Sequence, residues 1–259
     1  MAISLQSISK TQGMKAPRIL IYGTHGIGKT TFAANAPNPI FLFTEDGAGQ
    51  LELDSFPLLK SYQDVIDALT SLINEEHDFK TVVLDSLDHL EPLVWEHTVT
   101  NAAKANISSI EDFGYGKGYL EALNHWREIL NLLDRLRNEK NIAYILTAHA
   151  QIKRFDSPEF EPYDRYQIKL HDKASGLIQE SVDCVFFCNY QTVIQKSDVG
   201  FGKEKARGIG TGQRNIYTVE KPAYIAKNRF SLPEKLPLDW GAFWTALQNN
   251  KTTGTNING

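Results

Sequence analysis

The run Gly23-Thr24-His25-Gly26-Ile27-Gly28-Lys29-Thr30 has the spacing G-x-x-x-x-G-K-[ST], which suits it to cradle a polyphosphate. Glycines let the backbone wrap an anion closely, and successive N–H groups plus a following helix N-terminus present partial positive charge to it. In that arrangement Lys29 reaches the β- and γ-phosphates, the Thr30 hydroxyl is offered to Mg2+, and Thr31 completes the nucleotide-binding set. Both flanks agree. The apolar run Ile19-Leu20-Ile21-Tyr22 reads as the strand leading in, and Thr31-Phe32-Ala33-Ala34-Asn35 as the helix leading out. ATP and Mg2+ are the expected ligands.

A phosphate cradle does not hydrolyse anything by itself. Turnover needs a metal holder, a group that acts on water, and cations for the developing charge. Asp85 closes the run Val82-Val83-Leu84 after a second βα unit, the pattern of a metal-holding carboxylate at a strand end; capping the helix that starts near Ser86 is its alternative role. Many phosphate-loop ATPases carry the water-activating glutamate directly after this aspartate, but that position is Ser86, so the base must come from elsewhere. Glu45, in Thr44-Glu45-Asp46-Gly47 after the strand Ile40–Phe43, is the leading candidate and Asp46 its rival. His149, in Thr147-Ala148-His149, can donate a hydrogen bond to a terminal phosphate or serve as a structural histidine. Lys227 and Arg229 flank Asn228 on an expected strand and so share a face, as a phosphate clamp or as a surface pair.

The elements that must position these groups follow from periodicity. Short continuous apolar runs at Ile19–Tyr22, Ile40–Phe43, Thr81–Leu84 and Ile142–Leu146 read as buried strands. Between them, Val65, Ile66, Leu69, Leu72 and Ile73 repeat at helical spacing, as do Leu87, Leu90, Leu93 and Val94. A long helix after the glycine cluster 114–118 carries Leu120, Leu123, Ile129, Leu130, Leu133 and Leu136. This alternation predicts an α/β fold, a mostly parallel sheet covered by helices on both faces. Strands around Ile216–Val219 and Tyr224–Ala226 predict an antiparallel C-terminal hairpin edge, and Val182–Cys188 a further strand. The segments 151–175 and 195–213 read as long polar loops. Residues 1–16 are expected to be a flexible arm, 17–247 the core, and 248–259 a disordered tail.

Composition narrows the partners. A net charge of −4 gives no bulk reason to bind nucleic acid, so any contact must use a local basic stripe. No run approaches the ~18 apolar residues of a membrane span, and no signal peptide is recognisable, so cytoplasmic residence without membrane contact is expected. Cys184 and Cys188 stand four apart on one strand, about 13 Å from each other, too far to bridge.

In order, the phosphate loop, Thr44-Glu45, Asp85-Ser86, a polar residue after the next strand, and Lys227-Asn228-Arg229 together resemble the RecA-like recombinase core across residues 17–232. The resemblance implies that Glu45 is the catalytic glutamate, and that Lys227 and Arg229 reach a neighbouring subunit's ATP across a ring or filament interface. His149 stands where recombinases usually carry glutamine. The short flanks and the run Phe113-Gly114-Tyr115-Gly116-Lys117-Gly118-Tyr119 are similar to compact, core-only phage ATPases, some of which anneal single strands. For such a protein, single-stranded DNA would meet residues 106–118 and 151–175. The latter interleaves Lys153, Arg154, Arg165, Lys169 and Lys173 with Phe155, Phe160, Tyr163 and Tyr166. The basic segment 195–213, with Arg214 beside it, is a third possible contact. A different class, a nucleotide-gated loader or remodelling factor for a replication or single-strand-binding protein, fits the same nucleotide motifs. A small-molecule kinase fits less well, for want of an arginine-rich lid.

Overall fold

A computed structural model describes residues 4, 5, 8, 13, 15–103, 106–158, 161–198 and 204–253, with the side chains of 192–210 and 251–253 excepted. The phosphate loop lies between strand β1 (Arg18–Gly23) and helix α1 (Lys29–Ala34). Strand β2 (Pro39–Phe43), helix α2 (Tyr62–Asn74), strand β3 (Thr81–Asp85), helix α3 (Leu87–Thr100) and the long helix α4 (Lys117–Lys140) follow. Then come β4 (Ala143–Phe155), β5 (Tyr163–Ile168), α5 (Asp172–Ser181), β6 (Cys184–Asp198), β7 (Glu204–Tyr217), β8 (Lys227–Asn228), β9 (Lys235–Pro237) and α6 (Trp240–Thr253).

The sheet runs β2-β3-β4-β1-β6-β7-β9. Its first five strands pair in parallel and β7 and β9 add an antiparallel edge. Continuous apolar runs make this work, because each central strand is buried on both faces. Alternate residues of β1 divide between two cores. Leu20 and Tyr22 pack with α2, α3, α4 and α5, whereas Ile19 and Ile21 pack with Phe32 of α1 and Trp240 and Phe243 of α6. β1 sits where the chain order reverses, with β4 on one side and β6 on the other. In such sheets the crevice beyond the strand carboxyl ends is the ligand site, and the phosphate loop opens into it.

Several expectations change in form. The hairpin edge exists, but β6 and β7 make it; Tyr224 contributes only isolated bridges, to Tyr166 and Lys221. The segment 195–213, read as a loop, supplies most of that hairpin's distal half. Similarly, 151–175 is no loop: β4 continues past Leu146 to Phe155 and pairs with β5, and α5 begins at Asp172. Hydrophobic runs locate buried strands, and these ribbons leave the body of the sheet, so their strands have no apolar run to betray them. Leu120 is exposed rather than part of the buried face of α4. Helix α6 runs into the expected tail; residues 254–259 and most of the arm lie outside the described residues. Cys184 and Cys188 are free, buried thiols, and burial pushes Cys184 up to about 12. Among the described residues no helix is long and apolar enough to cross a membrane.

Candidate active site

The loop's geometry depends on two glycines for different reasons. Gly23 abuts β6: a Cβ there would lie 2.4 Å from the Cys188 carbonyl oxygen, so a side chain would push the phosphate strand off its neighbour. Gly28 caps α1 with φ 110°, a left-handed conformation that favours glycine. A cleft of about 400 Å³ opens above the loop, lined by Gly26, Gly28, Lys29, Thr30, Thr31, Glu45, Gly47, Ala48, Leu51, Asp85, His149 and Arg214.

Lys29 is buried, and its Nζ donates to the Gly23 and Thr24 carbonyls at 3.3 and 3.2 Å. Burial lowers its pKa, while the nearby Asp85 carboxylate pulls the other way. Two weakly held carbonyls leave a desolvated ammonium undercompensated, which suits it to receive an anion. Thr30 Oγ1 donates to Asp85 Oδ2 at 2.7 Å, and Thr147 Oγ1 donates to Asp85 Oδ1. These contacts join the phosphate-loop hydroxyl to the end of β3, the hydroxyl–carboxylate pair a magnesium ion needs. The residues present therefore fit Mg2+ and a triphosphate.

Glu45 reaches the same cleft from the end of β2. Its Oε1 accepts from Ser86 Oγ at 2.7 Å, and its Oε2 lies 3.2 Å from His89 Nδ1. Asp46 is exposed and does not line the cleft. His149 closes the third side. Its Nδ1 lies 2.9 Å from Asp88 Oδ2, its backbone N–H donates to Asp88 Oδ1, and its ring stacks on His25 at 3.7 Å. The neighbouring His149 imidazole, and then burial, lower the pKa of His25. The groups bonded to Asp88 hold that carboxyl well below the usual carboxylate range, against a burial effect that opposes them.

The structure thus brings Gly23 to Thr31, Glu45, Asp85 and His149 together. Lys227 and Arg229 are elsewhere. β8 pairs with Cys184 and Val185, whereas Gly23 pairs with Cys188, so the pair sits at the other end of the sheet, roughly 13 Å along the strands. Lys227 Nζ donates to the carbonyls of Gln179, Glu180 and Val182 at the end of α5. Arg229 Nη1 lies 3.7 Å from Asp183 Oδ1. Neither reaches its own subunit's phosphate loop.

Four site residues went unnoticed in the sequence. Thr147 grips Asp85, Asp88 grips His149, His89 faces Glu45, and Arg214 Nη1 donates to the Ile27 carbonyl at 3.2 Å at the lip of the cleft. Thr147 and His149 alternate as polar residues at the end of the apolar first half of β4, a signal that could have found Thr147. Arg214, grouped with a basic segment, gave none.

A family model described as an AAA domain matches residues 15–230. The chain belongs to this family. Among solved structures, a crystal structure of the RadB recombinase is 16% identical, with 89% of this chain and 91% of that chain covered and a TM-score of 0.44. Comparison with curated proteins returned no match. Element order, phosphate loop and family together give this AAA domain a P-loop NTPase fold, with the Thr30 hydroxyl of the phosphate loop bonded to Asp85 at the end of β3.

Proposed function

We propose that this AAA domain hydrolyses ATP with Mg2+, binds single-stranded DNA and promotes strand annealing or recombination. The observation that carries the ATPase reading is the Thr30–Asp85 hydrogen bond beside a buried, undercompensated Lys29. Main-chain amides of residues 23–30 and Lys29 bind the phosphates, and Thr30 and Asp85 hold the metal, which neutralises charge on the phosphate oxygens when bound. Glu45 orients and deprotonates water, with Ser86 and His89 fixing its two oxygens. His149, aimed by Asp88, faces the terminal phosphate and stands where β4 leaves the sheet to form the ribbon with β5.

The ribbon is the proposed strand-binding element. It carries Lys153 and Arg154, an exposed Ile152, and Phe155 with the Arg165 guanidinium 4.0 Å over its ring. Its cations are paired with Asp172, Asp156 and Glu220, which limits the charge they offer. Single-strand binding should therefore be salt-sensitive with a shallow slope. Site sharing between subunits is also proposed. Arg229 suits it better than Lys227, because its side chain is 52% exposed while Lys227 is engaged by three carbonyls.

The test is steady-state ATP turnover with and without single-stranded DNA, read beside particle mass with a non-hydrolysable nucleotide. Stimulation together with assembly is expected. Turnover indifferent to DNA would favour the nucleotide-gated loader instead.

A further inference from the structure

Glu45, His89 and His149 have ligand atoms that all lie within 4.8 Å of one another, beside the phosphate loop and separate from the Thr30–Asp85 pair. The three come from different elements: the end of β2, the first turn of α3 and the core end of β4. Two imidazoles and one carboxylate are a poor donor set for Mg2+, which prefers oxygen, and a good one for a borderline ion such as Zn2+ or Co2+.

A second feature points the same way. His149 Nδ1 faces the buried Asp88 carboxylate at 2.9 Å, and the His25 ring covers one face of the imidazole. A carboxylate on one ring nitrogen fixes the tautomer and leaves the other nitrogen's lone pair directed outward, the arrangement that supports a metal-ligating histidine. His89 Nδ1 already lies 3.2 Å from Glu45 Oε2, so the carboxylate and one imidazole are in register before any ion arrives. Asp85 adds a third carboxylate to Glu45 and Asp88 around this cleft, facing the ammoniums of Lys29 and of Lys169, whose Nζ lies 3.6 Å from Asp88.

We propose that Glu45, His89 and His149 form a second cation site, specific for a transition metal with Zn2+-like preferences, whose occupancy ties up the carboxylate that would otherwise activate water. Magnesium stays with Thr30 and Asp85, and the two ions are told apart by donor type. The consequence rests on Glu45 acting as the base; the binding itself does not.

Cobalt is the probe, because its visible absorption reports nitrogen ligation directly and magnesium is silent. The full chain is titrated with Co2+ in excess Mg2+, without nucleotide. One saturable equivalent per chain is expected, displaced by Zn2+. His89→Ala and His149→Ala should each weaken it at least tenfold, and Asp88→Asn by about 10–100-fold. His97→Ala, in the separate Tyr62–His97–His125 cluster, should leave it unchanged. Binding of a fluorescent ATP analogue by His89→Ala shows that the variant is folded. Absence of a saturable band, or a band that survives both histidine variants, overturns the proposal. If wild-type protein binds cobalt but no nucleotide, the ATPase reading fails and the metal site stands.

Discussion

The two ends of the central sheet both gather cations and carboxylates, and they use them differently. At the carboxyl ends of β1, β3 and β4, Lys29 is buried against two carbonyls and faces an open cleft. At the opposite end, Arg18 is locked to Asp183 at 2.8 Å, Arg137 joins at 3.6 Å, and Lys227 satisfies three carbonyls of α5. Asp183, held below the usual carboxylate range chiefly by Arg18 although burial opposes it, also accepts from the Arg18 backbone. One end leaves its charges short of partners and can bind something. The other closes its network and fixes the start of β1 against β6. A cation's function here is read from what it lacks, not from its sequence spacing.

This contrast predicts which substitutions change turnover and which change stability. Lys29→Ala removes the undercompensated ammonium and should reduce ATP turnover by at least about 100-fold, with unfolding free energy unchanged or raised because a buried cation is gone. Loss of stability with turnover retained would dissolve the distinction. Glu45→Gln should lower turnover by about 10²–10⁴ while nucleotide affinity stays within about twofold, measured by single-turnover kinetics and equilibrium binding. Full turnover in that variant would pass the role to another group, such as His89, whose Nδ1 lies 3.2 Å from Glu45 Oε2.

The first region was readable from sequence because its chemistry is local. A phosphate loop, a strand-end Asp85 and a Glu45 after β2 are each announced by neighbours in the chain, and the parallel sheet brings strand ends together without further instruction. Asp88, His89 and Arg214 were missed because their roles arise from tertiary approach: a first helical turn rotated toward β4, and a strand residue leaning over Ile27. The ribbons were misread as loops for a related reason. β4 and β5 pair outside the sheet body, where residues such as Lys153 and Arg165 oppose each other and no apolar run marks the strand. Lys227 reads from sequence as a clamp or a surface pair and not as a cap of α5, because that capping involves residues nearly fifty positions away.

Lys227→Ala tests the closed end. Three carbonyls at the α5 terminus would lose their donor, so the variant should lose about 1–3 kcal/mol of stability, visible as a lowered urea midpoint. If the side chain also serves a neighbour's nucleotide, mixing inactive Lys227→Ala with inactive Glu45→Gln should restore some turnover. Arg229→Ala should lower turnover more than it lowers stability, since its side chain is half exposed and its Nη1 lies 3.7 Å from Asp183.

The smallest expected effect lies between the two ends. Glu91, on α3 one turn beyond Asp88, accepts from the His171 backbone N–H at 3.0 Å at the start of α5. Burial raises its pKa to about 7, although the His171 N–H pulls it down. Between the ordinary glutamate value of 4.5 and about 7, the folded chain keeps a proton that the unfolded chain has released, so stability falls as pH rises through that window. Asp88 shifts the opposite way and adds no slope there, being ionised in both states. Glu91→Gln, which cannot ionise, should therefore gain on the wild type as pH rises, by on the order of 1–2 kcal/mol between pH about 5 and 7.5 in urea unfolding. A constant gap across that range would mean that Glu91 is ionised throughout, and that the His171 N–H outweighs burial where α3 meets α5.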